Sequence, residues 1–261
     1  MADNYEFIIY EKADRVAWIT LNRPEAMNAQ SDGLRAELVD ALENASVDDD
    51  VFVVVITGSG DKAFSAGADV AQYVSRVPSY VVSQKYVTRP FELIRNMTKP
   101  VVCMVNGLAL GAGCELMISC DIIIAADDVK LGQTEVRVGF IPGGGGTQVL
   151  PRIVGEKKAK ELIFTGAMIS AEEAMHLGIV NQVVPREQLR EATQKMVDSL
   201  LRNSPAIIGL AKIAINRSLE VPLQAGMSYE RDLFALAFSY EDQKEGARAF
   251  LEKRKPNYSG K

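Results

Sequence analysis

Val51-Phe52-Val53-Val54-Val55-Ile56 is an unbroken apolar run, rich in β-branched residues and with no polar alternation. It is too short for a membrane span and reads as a strand covered on both faces, the habit of a parallel sheet flanked by helices. Similar runs recur at 101 to 105 and 122 to 126, with helical or glycine-rich segments between them. A strand and helix series of this kind predicts an α/β architecture. Upstream, residues 5 to 11 and 15 to 21 alternate apolar and polar around Lys12-Ala13-Asp14 and predict a β-hairpin. After the polar loop Asn22-Arg23-Pro24-Glu25, Leu34, Leu38, Ala41 and Leu42 recur at helical spacing from about Ser31 to Ala45, ending at Asp48-Asp49-Asp50. From Gly155 onward the pattern is mostly helical. Ser170 with Glu173 forms a capping box, Gly178 suits a helix end, Ser204-Pro205 opens another helix, and residues 240 to 253 form a last one. The simplest partition is a core over 1–200 and a C-terminal helical region over 201–261, acting as one functional unit.

The chain has 261 residues, 48% apolar and 24% charged, with a net charge of −5, so it lacks the basic excess of a general nucleic-acid binder. One histidine, His176, rules out a His-rich metal site within one chain and leaves a single ring for any Ser-His-Asp or Cys-His device. Cys103, Cys114 and Cys120 form no CxxC pair and fit a reducing compartment. The start, MADNYEFIIYEKADR, lacks the long apolar run of a signal peptide. A soluble protein without membrane partners is expected, in the cytoplasm or, as a processed form, in the mitochondrial matrix.

Glycine and carboxylate concentrate in three places. Thr57-Gly58-Ser59-Gly60-Asp61-Lys62-Ala63-Phe64-Ser65-Ala66-Gly67-Ala68-Asp69 follows the apolar strand, and its small residues leave peptide N–H groups open to a ligand. A helix starting near Asp69 would aim those groups at negative charge; a tight strand-to-helix turn is the plainer reading. Asn106-Gly107-Leu108-Ala109-Leu110-Gly111-Ala112-Gly113-Cys114-Glu115 is a second such turn; Leu116 stands where a dinucleotide fingerprint needs its third glycine. Two turns of this type can supply two N–H donors to one developing oxyanion, each contributing about 3 kcal/mol. The third place is Gly132-Gln133-Thr134-Glu135, followed by Gly139-Phe140-Ile141-Pro142-Gly143-Gly144-Gly145-Gly146-Thr147, with no lysine to make it a P-loop. A short helix and a returning strand between Glu115 and Glu135 would let the two carboxylates face one another, although spacing alone suits unrelated surface acids as well.

Taken in order, Phe64 to Asp69, Val105 to Leu116, Cys120-Asp121, Gly132 to Glu135 and Ile141 to Thr147 resemble the successive signatures of the enoyl-CoA hydratase/isomerase, or crotonase, family. The resemblance runs from Leu21-Asn22-Arg23-Pro24 to Phe250-Leu251-Glu252-Lys253-Arg254-Lys255-Pro256, nearly the whole chain. It implies a spiral of ββα units with a C-terminal helical trimerisation region, assembling as a homotrimer or as a hexamer of paired trimers. The implied ligand is an acyl-CoA thioester, with no cofactor besides the CoA of the substrate and no metal. The thioester oxygen would lie between the N–H groups of Ala68 and Ala112, the latter standing where the family often has glycine. Glu115 and Glu135 would be the catalytic pair of a two-glutamate hydratase, Glu115 deprotonating water and Glu135 protonating C2. Ala66, Gly67 and Asp69 would adjoin the adenine, and Phe250 and Lys253 would reach CoA from a neighbouring subunit. The implied reaction is reversible hydration of short- to medium-chain trans-2-enoyl-CoA, with chain length set by the segment from about Gln72 to Phe91. A double-bond isomerase of the same family, a nicotinamide dehydrogenase built on Gly111 to Glu115, and a non-catalytic RNA-binding relative are the competing readings.

Overall fold

The computed structural model describes residues 5–83 and 88–261; the first four residues, and 84–87 of the segment expected to set chain length, lie outside the described residues. Strands β1 (Ile8–Ala13) and β2 (Val16–Leu21) form the expected hairpin. Its turn is tighter than the sequence suggested. Lys12 and Ala13 pair with Ala17 and Val16, so the reversal falls on Asp14 and Arg15, both with positive φ, 51° and 67°, as a two-residue turn matched to strand twist requires. Ser31 caps α1 (Asp32–Val47) by accepting from Leu34 N at 3.2 Å, and Leu34, Leu38, Ala41, Leu42 and Ala45 turn into the core. β3 (Val53–Gly58) begins two residues later than the apolar run, because the amides of Phe52 and Val53 are both taken up by Arg15 O and the ladder to β2 starts at Val53 opposite Val16.

Downstream lie β4 (Ala63–Ser65), α2 (Pro78–Ser83), α3 (Arg89–Asn96), β5 (Val101–Val105), β6 (Leu108–Leu110), α4 (Ala112–Ser119), β7 (Ile122–Ala126) and β8 (Lys130–Gly132). The runs at 101 to 105 and 122 to 126 are strands with those bounds. The helix expected near Asp69 is only a 3-10 turn, Val70–Gln72. Asp69 makes no cap to it; its carboxylate pairs with Arg23 at 3.1 Å. The C-terminal half holds α5 (Gly146–Val154), α6 (Glu156–Thr165), β9 (Ile169–Ser170), α7 (Ala171–His176), β10 (Gln182–Val184), α8 (Leu189–Leu201), α9 (Pro205–Ser218), α10 (Leu223–Ala237) and α11 (Glu241–Leu251). Ser170 accepts from Glu173 N and Ser204 from Ile207 N, so both caps form as expected; the Glu173 carboxylate, however, pairs with Lys158.

Among the described residues two sheets result. The larger has the order β1-β2-β3-β5-β7-β10, parallel from β2 onward; the smaller, β4-β6-β8-β9, is parallel except for β9. The core fills the space between β3, β5 and β7 and the helices that cover them. β2 crosses to β3 through α1, and from β3 onward each crossover passes from the large sheet to the small one and back through helices, a mixed α/β spiral. α9 is tied to that core by Lys212, 7% exposed, whose Nζ donates to Ile94 O, Lys99 O and the Asp121 carboxylate. Among the described residues no helix is long and apolar enough to cross a membrane.

Candidate active site

Two neighbouring strands of the small sheet deliver the two small-residue turns side by side. β4 pairs in parallel with β6, Ala63 beside Leu108, so the chain leaving β4 at 65–69 and the chain leaving β6 at 110–112 are neighbours. Their approach leaves no room for side chains. A Cβ on Gly113 would lie 2.2 Å from Ser65 O. Gly67, at φ +107°, has its Cβ direction 2.9 Å from Leu110 O, a backbone state that glycine alone adopts freely.

Around Ala68 the amides are committed within the chain: Ala66 N donates to Met27 O, Gly67 N to Ser65 Oγ and Asp69 N to Gln30 O. Among the described residues the Ala68 N–H takes no part in these bonds. Ala112 is the first residue of α4, so its N–H is one of the donors a helix start leaves unpaired. Ala66, Gly67, Ala68, Gly111 and Ala112 all border one cavity of about 740 Å³, whose wall is mostly apolar. Tyr73, Val77, Phe91, Phe140 and Ile141 supply much of that wall.

Glu115 and Glu135 border the same cavity. Glu115 sits in the first turn of α4, 2% exposed, where its Oε1 accepts from Gly144 N at 2.7 Å and Gly146 N at 2.8 Å. Its carboxyl thereby caps the start of α5, the positive end of that helix. Burial pushes its pKa up, and the amides of Gly146, Gly144 and Gly143, with the charge of Arg35, pull it back. Glu135 opens the 3-10 turn Glu135–Val138 on the far side of β7 and β8. Its two carboxyl oxygens are buried with no hydrogen-bond partner among the described residues, and a Cβ on Gly111 would lie 3.4 Å from its carboxyl. Burial pushes its pKa to about 7, against the pull of its own backbone N–H and with a smaller push from the negative charge of Glu115. The pair therefore holds one carboxyl steadied by main-chain amides and one poised to carry a proton at neutral pH.

The remaining residues singled out in the sequence are divided. Ala66 and Gly67 are in the cavity wall, whereas Asp69 is occupied by Arg23 beside it. Phe250 is 84% exposed near the end of α11 and Lys253, at φ 54°, follows it; neither borders the cavity. His176 is exposed, with Nδ1 2.9 Å from Glu172 O, and Trp18 is buried under the Arg190 guanidinium. Cys114 is buried and its thiol is pushed up by burial, with the two glutamates adding to the effect. Gln30 and Arg35 escaped the sequence reading. Both are buried, and Arg35 borders the cavity, donating to Gln30 Oε1 at 3.3 Å and to Tyr73 Oη at 2.9 Å. The signal was present: Arg35 stands three residues before Leu38, on the apolar face of α1.

Residues 11–261 match the family model described as enoyl-CoA hydratase/isomerase. A crotonyl-CoA hydratase of Syntrophomonas wolfei is 45% identical over 262 residues, covering 98% of this chain and 99% of that protein. A short-chain-enoyl-CoA hydratase of Clostridium acetobutylicum is 39% identical, covering 95% of each. The crystal structure of an enoyl-CoA hydratase from Bacillus anthracis superposes with a TM-score of 0.93 at 38% identity, covering 98% of this chain and all of that one. With the spiral fold, the paired turns and these matches along nearly its full length, the chain belongs to the enoyl-CoA hydratase/isomerase family.

Proposed function

We propose that the protein is a hydro-lyase that reversibly adds water to short- to medium-chain trans-2-enoyl-CoA, and that Glu115 and Glu135 perform the proton transfers. The observation that carries this reading is the unequal state of the two carboxyls on one cavity: Glu115 held by two peptide amides, Glu135 unpartnered among the described residues and titrating at about 7. The relatives named above as hydratases support the same reaction.

Hydration needs three things at once. The thioester oxygen must be drawn into an oxyanion so that C3 becomes electrophilic, and the N–H groups of Ala68 and Ala112 have the placement for it, with the start of α4 adding its positive end. A water must lose a proton as it attacks C3, and Glu115, whose carboxylate form its amide donors favour against the pull of burial, takes it. C2 must gain a proton, and Glu135, whose neutral form is populated at neutral pH, gives it. In the reverse direction the two exchange roles and water leaves. Metal and redox chemistry are not required by these steps, and CoA enters only as part of the substrate.

The nucleotide end of CoA is assigned to the 66–69 turn, and Phe250 and Lys253 are assigned to the CoA of a neighbouring subunit in a homotrimer or paired trimers. That assembly is supported by α10, which has no buried residue and carries exposed Leu223, Met227, Phe234 and Leu236. The test of the reaction is the loss of the 2-enoyl thioester absorbance on crotonyl-CoA. Glu115→Gln and Glu135→Gln are each expected to lower kcat by ~10²–10⁴-fold while the protein stays folded. Near-normal turnover in both variants would eliminate the assignment. A 3-enoyl-CoA shifted without water uptake would make the enzyme an isomerase instead.

A further inference from the structure

One buried side chain connects the two turns that carry Ala68 and Ala112. Gln30 lies in the loop before α1, 1% exposed. Its main chain is bonded on both sides to the first turn: Gln30 N donates to Gly67 O at 2.7 Å, and Gln30 O accepts from Asp69 N at 3.2 Å. These two bonds flank Ala68 and leave its own N–H free of them. The Gln30 side chain then crosses to the second turn, Nε2 donating to Ala112 O at 3.0 Å. Its orientation is fixed from behind, because Oε1 accepts from Arg35 Nε at 3.3 Å. Arg35 is 2% exposed and its partners here, Gln30 and Tyr73, are neutral, so its charge also acts on the cavity, where it draws down the pKa of Glu115.

We propose that Gln30 is a positioning residue for the reaction: a brace that sets the separation and aim of the Ala68 and Ala112 amides, locked in its working orientation by Arg35. The inference rests on the hydratase reading above. A hydrogen-bond pair aimed at a developing oxyanion loses effect over displacements well under 1 Å, and the two turns belong to different crossovers. Gly67 and Gly113 let them approach; Gln30 is the side chain that bonds one to the other.

Two variants of similar size separate this role from simple packing. Gln30→Met keeps the volume and removes both side-chain bonds. Gln30→Glu keeps an acceptor for Arg35 and removes the donor to Ala112 O. Each is assayed for crotonyl-CoA hydration and for binding of 4-dimethylaminocinnamoyl-CoA, whose absorbance moves to longer wavelength as its thioester oxygen is polarised. The expected result for both is a kcat lowered ~10–100-fold with KM within about threefold, and a bound-state wavelength shift reduced by at least half. Wild-type kcat together with a wild-type shift in either folded variant would overturn the proposal. So would failure of both variants to fold, since Gln30 would then be a structural requirement and nothing more. If the wild-type protein itself did not hydrate crotonyl-CoA, the functional reading would fall, whereas an active wild type with unaffected variants would remove the brace alone.

Discussion

Glu135 shows how one residue ties chemistry to stability. Its folded pKa of about 7 lies above the ordinary value of 4.5, so the folded chain holds that proton more tightly than the unfolded chain does. The sign follows: the folded state loses stability as pH rises from about 4.5 to about 7, and the loss is complete above that range. Glu135→Gln removes the buried charge and is expected to stabilise the protein by about 1–3 kcal/mol at pH 8, with no gain near pH 4. Thermal melts at the two pH values check this, and equal gains at both would contradict it. On the proposed mechanism the same proton also sets the rate. For hydration, kcat/KM is expected to fall above pH 7 as the acid form of Glu135 is lost, approaching tenfold per pH unit. The two glutamates were legible in the sequence through the motifs around them. Gln30 was not, because a polar residue beside a helix start reads as solvent-facing until the fold shows what covers it; Arg35 was marked by its place on the apolar face of α1, but a charge there does not say what it faces.

For the secondary-structure elements, the long apolar runs were read almost to the residue, since burial on both faces leaves only one strand pattern for Val101–Val105 and Ile122–Ala126. Where ladder pairing and turn chirality set the limits, as at Asp14-Arg15 and at Val53, the sequence reading missed by about two residues. The 3-10 turn after Asp69 was invisible for a related reason: the cap residue is claimed by Arg23, a distant partner. The packing of α4 on β4 yields a sharper expectation. In Gly113→Ala the new methyl would meet Ser65 O at 2.2 Å, so α4 must move, at a cost of about 1–3 kcal/mol. Because Ala112 and Glu115 ride on that helix, turnover of crotonyl-CoA should fall more than stability does; a Gly113→Ala variant with full kcat would show that the helix start tolerates displacement. Ser31→Ala, by contrast, should cost about 1 kcal/mol in denaturant melts through loss of the α1 cap.

Across the molecule, the order of α/β core and C-terminal helices was legible, but the bond joining them was not. Lys212 anchors α9 through Asp121 and two carbonyls of the 94–99 region. Lys212→Met would leave the part-exposed Asp121 carboxylate without its cation and the buried Ile94 carbonyl without its donor, and is expected to cost about 1–3 kcal/mol, part of it recovered in the Lys212→Met, Asp121→Asn double variant. Chemical denaturation of the two single variants and the double variant measures this coupling, and additive losses would refute it. The division of labour around the cavity has a consequence for how such an enzyme diversifies. The groups proposed to grip the thioester oxygen are peptide amides, and Glu115 is itself held by peptide amides, whereas the apolar wall at Tyr73, Val77, Phe140 and Ile141 is built of side chains. A gene library randomising the codons of Val77, Phe140 and Ile141, and sparing Tyr73 because it accepts from Arg35, can therefore explore new acyl tails while the main-chain oxygen grip and the two glutamates stay in place.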